Sequence, residues 1–147
     1  MLVMLLICLA LDPLPQPLWP LPQPQWSAEA APLAPRPTIT DYPTAYAAAG
    51  QAGTLVVLLT SAGCAPCATL KTTIQELLAA GELPGVPVAE VRADLDPQFA
   101  ALVAGGPVRM VPQLYVFRRD RAGQLLRADH HTGPAERVQL IRILKGA

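Results

Sequence analysis

The sequence predicts an α/β protein built on a central mixed β-sheet of about four strands, with helices on both faces. Three observations carry this. The run TLVVLLTS (54–61) is continuously apolar and rich in valine and leucine, which is how a strand covered on both sides reads. Around it, strand-like runs alternate with stretches of helical spacing, and helical crossovers make successive strands parallel. The last two strand-like runs, 112–119 and 124–131, flank the short turn DRAG, which marks a hairpin.

Each element has its own local signal. TDYPTAYAAAG (40–50) predicts a helix from about Thr44 to Ala49, capped by Thr40 or Asp41 and stopped by Gly50. Gly53 and Gly63 bound the first long strand. Beyond it, Leu70, Ile74, Leu77 and Leu78 recur at i, i+4, i+7 and i+8, one face of a helix that Gly81 closes. VPVAEVRAD (86–94) reads as a strand. DPQFAALVAGG (96–106) reads as a short helix, with Asp96 as N-cap, Pro97 at the first position and two glycines to end it. After the hairpin, a final helix is expected from about Pro134 to Leu144, with Val138, Ile141 and Leu144 as its apolar stripe and Leu140 beside it. The order is α-β-α-β-α-β-β-α.

Length and composition bound what this fold can serve. The 147 residues suffice for one domain with a real core, and 52% of them are apolar against 15% charged. Eleven basic and eleven acidic side chains cancel, which excludes an electrostatic nucleic-acid binder. Arg118, Arg119 and Arg121 read as a solvated turn between strands. Three cysteines are too few for a disulfide scaffold.

The domain is expected to span 38–147, behind a leader at 1–37. Met1–Leu11 is apolar but covers only about half a bilayer core, so no stable membrane span is expected. Its length fits the apolar region of a signal peptide, and Ala28–Ala30 offers small residues for cleavage. Against this, the first basic residue is Arg36, and nine of the 17 prolines lie between Pro13 and Pro37, a composition that favours extended chain. Export signal and disordered leader both stay open, and with them an extracytoplasmic or a cytoplasmic location. Ile7 is bulky for a lipoprotein reading of Cys8, and the prolines around Trp19 and Trp26 argue against a ligand site there.

The chemistry concentrates in TSAGCAPCATLK (60–71). Cys64 follows the carboxyl end of a buried strand and opens a helix, where unpaired N–H groups and the macrodipole favour a thiolate. Pro66 suits the first helical turn. Cys67, three residues on, reaches back over the turn. The outer cysteine is placed to attack a disulfide and the inner one to resolve the mixed disulfide. A zinc site would need two more ligands. His130 and His131 are neighbours on a strand and point to opposite faces, so at most one could join, and no metal is expected. Two inert buried thiols remain the plainer alternative. Pro112 leads a strand 45 residues after Cys67, and an X-Pro bond at such a bend is a candidate for the cis form.

On these features (the strand LVVLLTS, the motif CAPC, RADLDPQFAALV, MVPQLYVF, the hairpin, and Gly133 before the last helix) residues 38–147 resemble the thioredoxin family. The resemblance implies a thiol–disulfide oxidoreductase that reduces, forms or exchanges disulfides in proteins. It implies that Cys64 is the exposed nucleophile and Cys67 the resolving thiol. It also implies that Pro112 is cis and packs against the pair, and that Val111 offers its backbone to the substrate. Gly63, Ala65 and Pro66 support the pair. No cofactor is implied beyond the redox-active disulfide Cys64–Cys67. The implied partners are protein thiols and disulfides and a recycling reductase or oxidase, and a monomer is expected.

Three departures from the family pattern, at four positions, matter. Gly63 and Ala65 replace a tryptophan and a glycine, Leu58 stands where the family has a buried carboxylate, and Ala68 replaces a basic residue. The direction of electron flow is therefore left open. Two other classes of function compete: a thioredoxin-fold binding module that uses the small rim of Ala62, Gly63, Ala65 and Val111 without needing its cysteines, and a structural or metal-carrying protein.

Overall fold

The computed structural model describes residues 38–146. The leader, with its signal-peptide and lipoprotein readings, lies outside the described residues. Nine elements follow one another: β1 (Ile39–Thr40), α1 (Tyr42–Ala52), β2 (Thr54–Thr60), α2 (Ala65–Ala79), β3 (Val88–Arg92), α3 (Pro97–Ala104), β4 (Gln113–Arg119), β5 (Leu125–Thr132) and α4 (Arg137–Lys145). The sheet has five strands in the order β1-β3-β2-β4-β5. β1, β3 and β2 are parallel, and β4 and β5 are each antiparallel to the strand before them in that order. The strand missing from the sequence reading is β1. Its two residues pair with Val88 and Ala89, too short a stretch for any alternation to show.

The strand period of two divides the core between the faces. Leu55, Val57 and Leu59 of β2, Ala89 and Val91 of β3, and Tyr115 and Phe117 of β4 point toward α1 and α3. Val56, Leu58, Val88, Leu114 and Val116 point the other way, onto Leu70, Ile74 and Leu77 of α2 and Leu140 and Leu144 of α4. β2 is buried from Leu55 to Thr60, as its unbroken apolar run requires.

The helix ends follow capping chemistry, with corrections at α1 and α4. Asp41, not Thr40, caps α1: its carboxylate accepts the Thr44 N–H at 2.9 Å. The helix runs past Gly50 and stops at Gly53, whose φ of 71° suits a residue without Cβ. Asp96 caps α3 through the Phe99 N–H at 2.9 Å, as expected. α4 begins at Arg137, later than expected, where Gln139 Oε1 accepts the Glu136 N–H at 3.1 Å. Its buried residues are Leu140 and Leu144, with Ile141 and Ile143 packed beside them, while Val138 is 69% exposed. Val138 lies two residues from Leu140, about 200° around the helix, so the two cannot share a face.

The arginine cluster is also more than a solvated turn. Arg119 donates to the α1 carbonyls of Ala49 at 3.3 Å and Gly50 at 3.1 Å, and to Gly123 O at 2.6 Å. Arg118 donates to Leu144 O near the end of α4 at 3.4 Å. Both place positive charge at a helix C-terminus, where the dipole favours it.

Candidate redox site

β2 ends at Thr60, and the chain turns through Ser61, Ala62 and Gly63 into α2. Gly63 has φ 68°, a left-handed conformation. A tryptophan at this backbone geometry would be strained, which gives a local reason for the glycine. Cys64 is the N-cap of α2. Its Sγ accepts the Cys67 N–H at 3.2 Å, and its carbonyl accepts the Ala68 N–H at 3.2 Å. Pro66 lies in the first turn, where its missing N–H costs nothing.

Cys64 and Cys67 are joined in a disulfide, with their Cα atoms 5.2 Å apart. The two sulfurs are not equivalent. Cys64 is half-buried, and Cys67 is 3% exposed. Ala62, Gly63, Ala65 and Pro66 around them are exposed and small, so Cys64 is approached over a low rim.

The Val111–Pro112 peptide bond is cis. The β2–β4 pairing ends at Leu59 opposite Gln113, so Pro112 lies level with Thr60, at the end of β2 from which the cysteine turn departs. The bend is anchored. Gln113 Nε2 donates to Met110 O at 2.9 Å, Tyr115 Oη donates to Gln113 Oε1 at 2.5 Å, and the Gly133 N–H donates to Pro112 O at 2.8 Å. Pro112 is buried; Val111 is half-buried and packs against the core under α1 and α3.

A cavity of about 500 Å³ opens beside the disulfide, lined on one side by Cys64, Cys67 and Lys71 and on the other by Thr60, Glu90 and Arg92. Gly63 and Ala65 belong to its wall; Pro66, Val111 and Pro112 do not. The sequence reading gave no role to its charged groups. Lys71 pairs with Glu90, and Thr60 Oγ1 donates to Glu90 Oε1 at 2.9 Å. Arg92 grips Asp94 through two bonds, of 2.8 and 2.6 Å. That grip, with help from the backbone N–H of Ala62, lowers the Asp94 carboxyl to about 2. The sequence offers only weak signals for these charged groups: an acid, Glu90, within the strand-like run VPVAEVRAD, and a lysine one helical turn beyond Cys67.

The histidines behave as strand neighbours. His130 stacks on Tyr115 with centroids 6.0 Å apart, and His131 Nε2 lies 3.1 Å from Pro134 O. Among the described residues, no three His, Cys, Asp or Glu side chains are grouped to hold a metal ion.

No family model and no curated protein sequence matches the chain. Solved structures do. The thioredoxin of Trichomonas vaginalis superposes with a TM-score of 0.57 at 19% identity, covering 76% of this chain and 98% of that one. A point mutant of the thioredoxin from Halobacterium salinarum gives 0.59 at 19% identity, covering 79% and 95%. The Malassezia sympodialis thioredoxin gives 0.56 at 20% identity, covering 79% and 96%. The described residues thus have the thioredoxin fold. Within it, this chain carries a pair of cysteines at CxxC spacing, closed as a disulfide where β2 meets α2.

Proposed function

We propose that this protein is a thiol–disulfide oxidoreductase acting on protein substrates. The observation that carries the reading is the Cys64–Cys67 disulfide at the N-terminus of α2, with one sulfur reachable and the other buried. In the reduced protein, the helix N-terminus and the Cys67 N–H favour a thiolate on Cys64.

That thiolate attacks one sulfur of a substrate disulfide. A Cys64–substrate bond forms, the substrate bond breaks, and its electron pair leaves on the second substrate sulfur. Cys67 then attacks Cys64 Sγ, closes the protein disulfide and releases the first substrate sulfur. Two electrons have passed to the substrate, and the reverse sequence oxidises it. Val111, ahead of cis-Pro112, presents its backbone to the substrate chain. A partner reductase or oxidase resets the pair. Among the described residues no helix is long and apolar enough to cross a membrane.

Two variants test this. Cys64→Ser is expected to abolish exchange with a protein disulfide, and Cys67→Ser to accumulate a mixed disulfide visible as a mass increase. Full activity in both variants would overturn the mechanism and favour a binding module.

A further inference from the structure

The resolving step leaves one requirement unmet by the cysteines themselves. Cys67 must lose a proton before it attacks, and a thiol buried in apolar surroundings holds its proton tightly. Cys67 lines the cavity beside the disulfide, and among the described residues Glu90 supplies the only carboxylate in that wall.

The placement follows from register. Leu58 pairs with Glu90 and Thr60 with Arg92 across the parallel β2–β3 ladder, so all four side chains point toward α2. Along this face the layer changes from the buried Val56 and Val88 to Glu90, Thr60 and Arg92 as the strands approach the cysteines. Lys71 stands four residues after Cys67, on the same side of α2, and its ion pair with Glu90 fixes the carboxylate below the first turns of that helix. Thr60 donates to the same carboxylate.

The charged groups facing Glu90 are few. Lys71 comes from α2, and Arg92 comes from β3, itself bound to Asp94. β1 and β2 carry no charged residue, and α4 lies over β5 at the opposite edge of the sheet from β1.

We propose that Glu90 accepts the Cys67 proton through water in this cavity. The inference rests on the exchange reading above. Thr60, Lys71, Glu90 and Arg92 give the cavity wall polar partners for water, and at about 30 Å³ per water molecule it is roomy enough for several. In the resolving step the Cys67 proton passes through water to Glu90. Cys67 Sγ attacks Cys64 Sγ, the Cys64–Cys67 bond forms, and the Cys64–substrate bond breaks. Its electron pair leaves on the substrate sulfur, which takes a proton from solvent while Glu90 returns its own. Cys67 is oxidised and the substrate sulfur reduced.

The test is stopped-flow reaction of the reduced full chain, carrying Cys8→Ser throughout, with dithiobis(nitrobenzoate) at one reagent per protein. One coloured thiolate leaves when Cys64 attacks and a second when Cys67 resolves. In Glu90→Gln the first phase should be unchanged. The second should slow about tenfold near neutral pH, at or below the low end of general-base effects because cavity water substitutes in part. The difference should close as pH rises and hydroxide takes the proton. Lys71→Met, which keeps the carboxylate but removes the partner that holds it, should slow the second phase less than Glu90→Gln does and leave the first phase unchanged.

A second phase unchanged in Glu90→Gln would overturn the proposal. So would a faster one, which is what removing a nearby negative charge does to a thiolate by electrostatics alone. Equal slowing of both phases at every pH would mean structural damage and would also overturn it. If the parent chain releases no thiolate at all, the exchange reading fails, and this inference with it. Two normal phases in the parent and in Glu90→Gln would leave exchange standing and remove only Glu90.

Discussion

Asp94 shows how one neighbouring side chain sets the titration of another beside the redox turn. Its carboxyl is held near 2, down from 3.8, chiefly by the Arg92 hydrogen bonds, with the Ala62 N–H adding to the same effect. A carboxyl lowered in the folded state contributes stability that is full above its unfolded value and is lost as pH falls through the folded one. The parent protein should therefore be more resistant to urea than Asp94→Asn at neutral pH, and the gap should shrink between about pH 4 and pH 2. Denaturation midpoints across that range would check this, and a gap that does not change with pH would contradict it. Gly63 belongs to the same turn. Its positive φ explains why a bulky aromatic is absent beside Cys64. The sequence exposed the substitution but not its cause, because a single residue letter carries no dihedral.

Among the elements, α2 and α4 show two degrees of legibility. The spacing of Leu70, Ile74, Leu77 and Leu78 named the buried face of α2 without error, because a long helix over the middle of the sheet must show a single apolar stripe. α4 is shorter and lies against an edge, so four apolar residues offer more than one phase. The structure chooses Leu140 and Leu144. Leu140→Ala should cost about 2–5 kcal/mol. Val138→Ala should stay within about 0.5 kcal/mol. Urea denaturation of the two variants measures the difference, and equal losses would mean that the helix is wrongly phased. The same physics explains why Arg118 and Arg119 read as a plain turn in the sequence. The helix ends they serve are 26 and about 70 residues away along the chain, invisible to any local rule.

Taken together, the chain's architecture follows from a few local patterns. The buried strand, the cysteine pair at its end, the Asp96 cap and the strand-leading proline were all legible, because each is governed by neighbours in sequence. The edge strand β1 was not, since two residues cannot display a period. The Thr60–Glu90–Lys71 cluster was not either, since it depends on β2 and β3 lying in one particular register. The fold brings three things to one end of the sheet: a disulfide on a helix N-terminus, a cis-proline bend level with it, and a charged pair under the helix. Of these, the disulfide carries the functional reading.

The most direct measurement is a redox titration of the full chain in glutathione and dithiothreitol buffers, with thiols trapped by alkylation and located by mass. The account predicts that Cys64 and Cys67 gain and lose their labels together, as one two-electron couple, with a midpoint between about −270 and −120 mV. A pair that stays locked in one state across that range, or two cysteines that titrate independently, would contradict it.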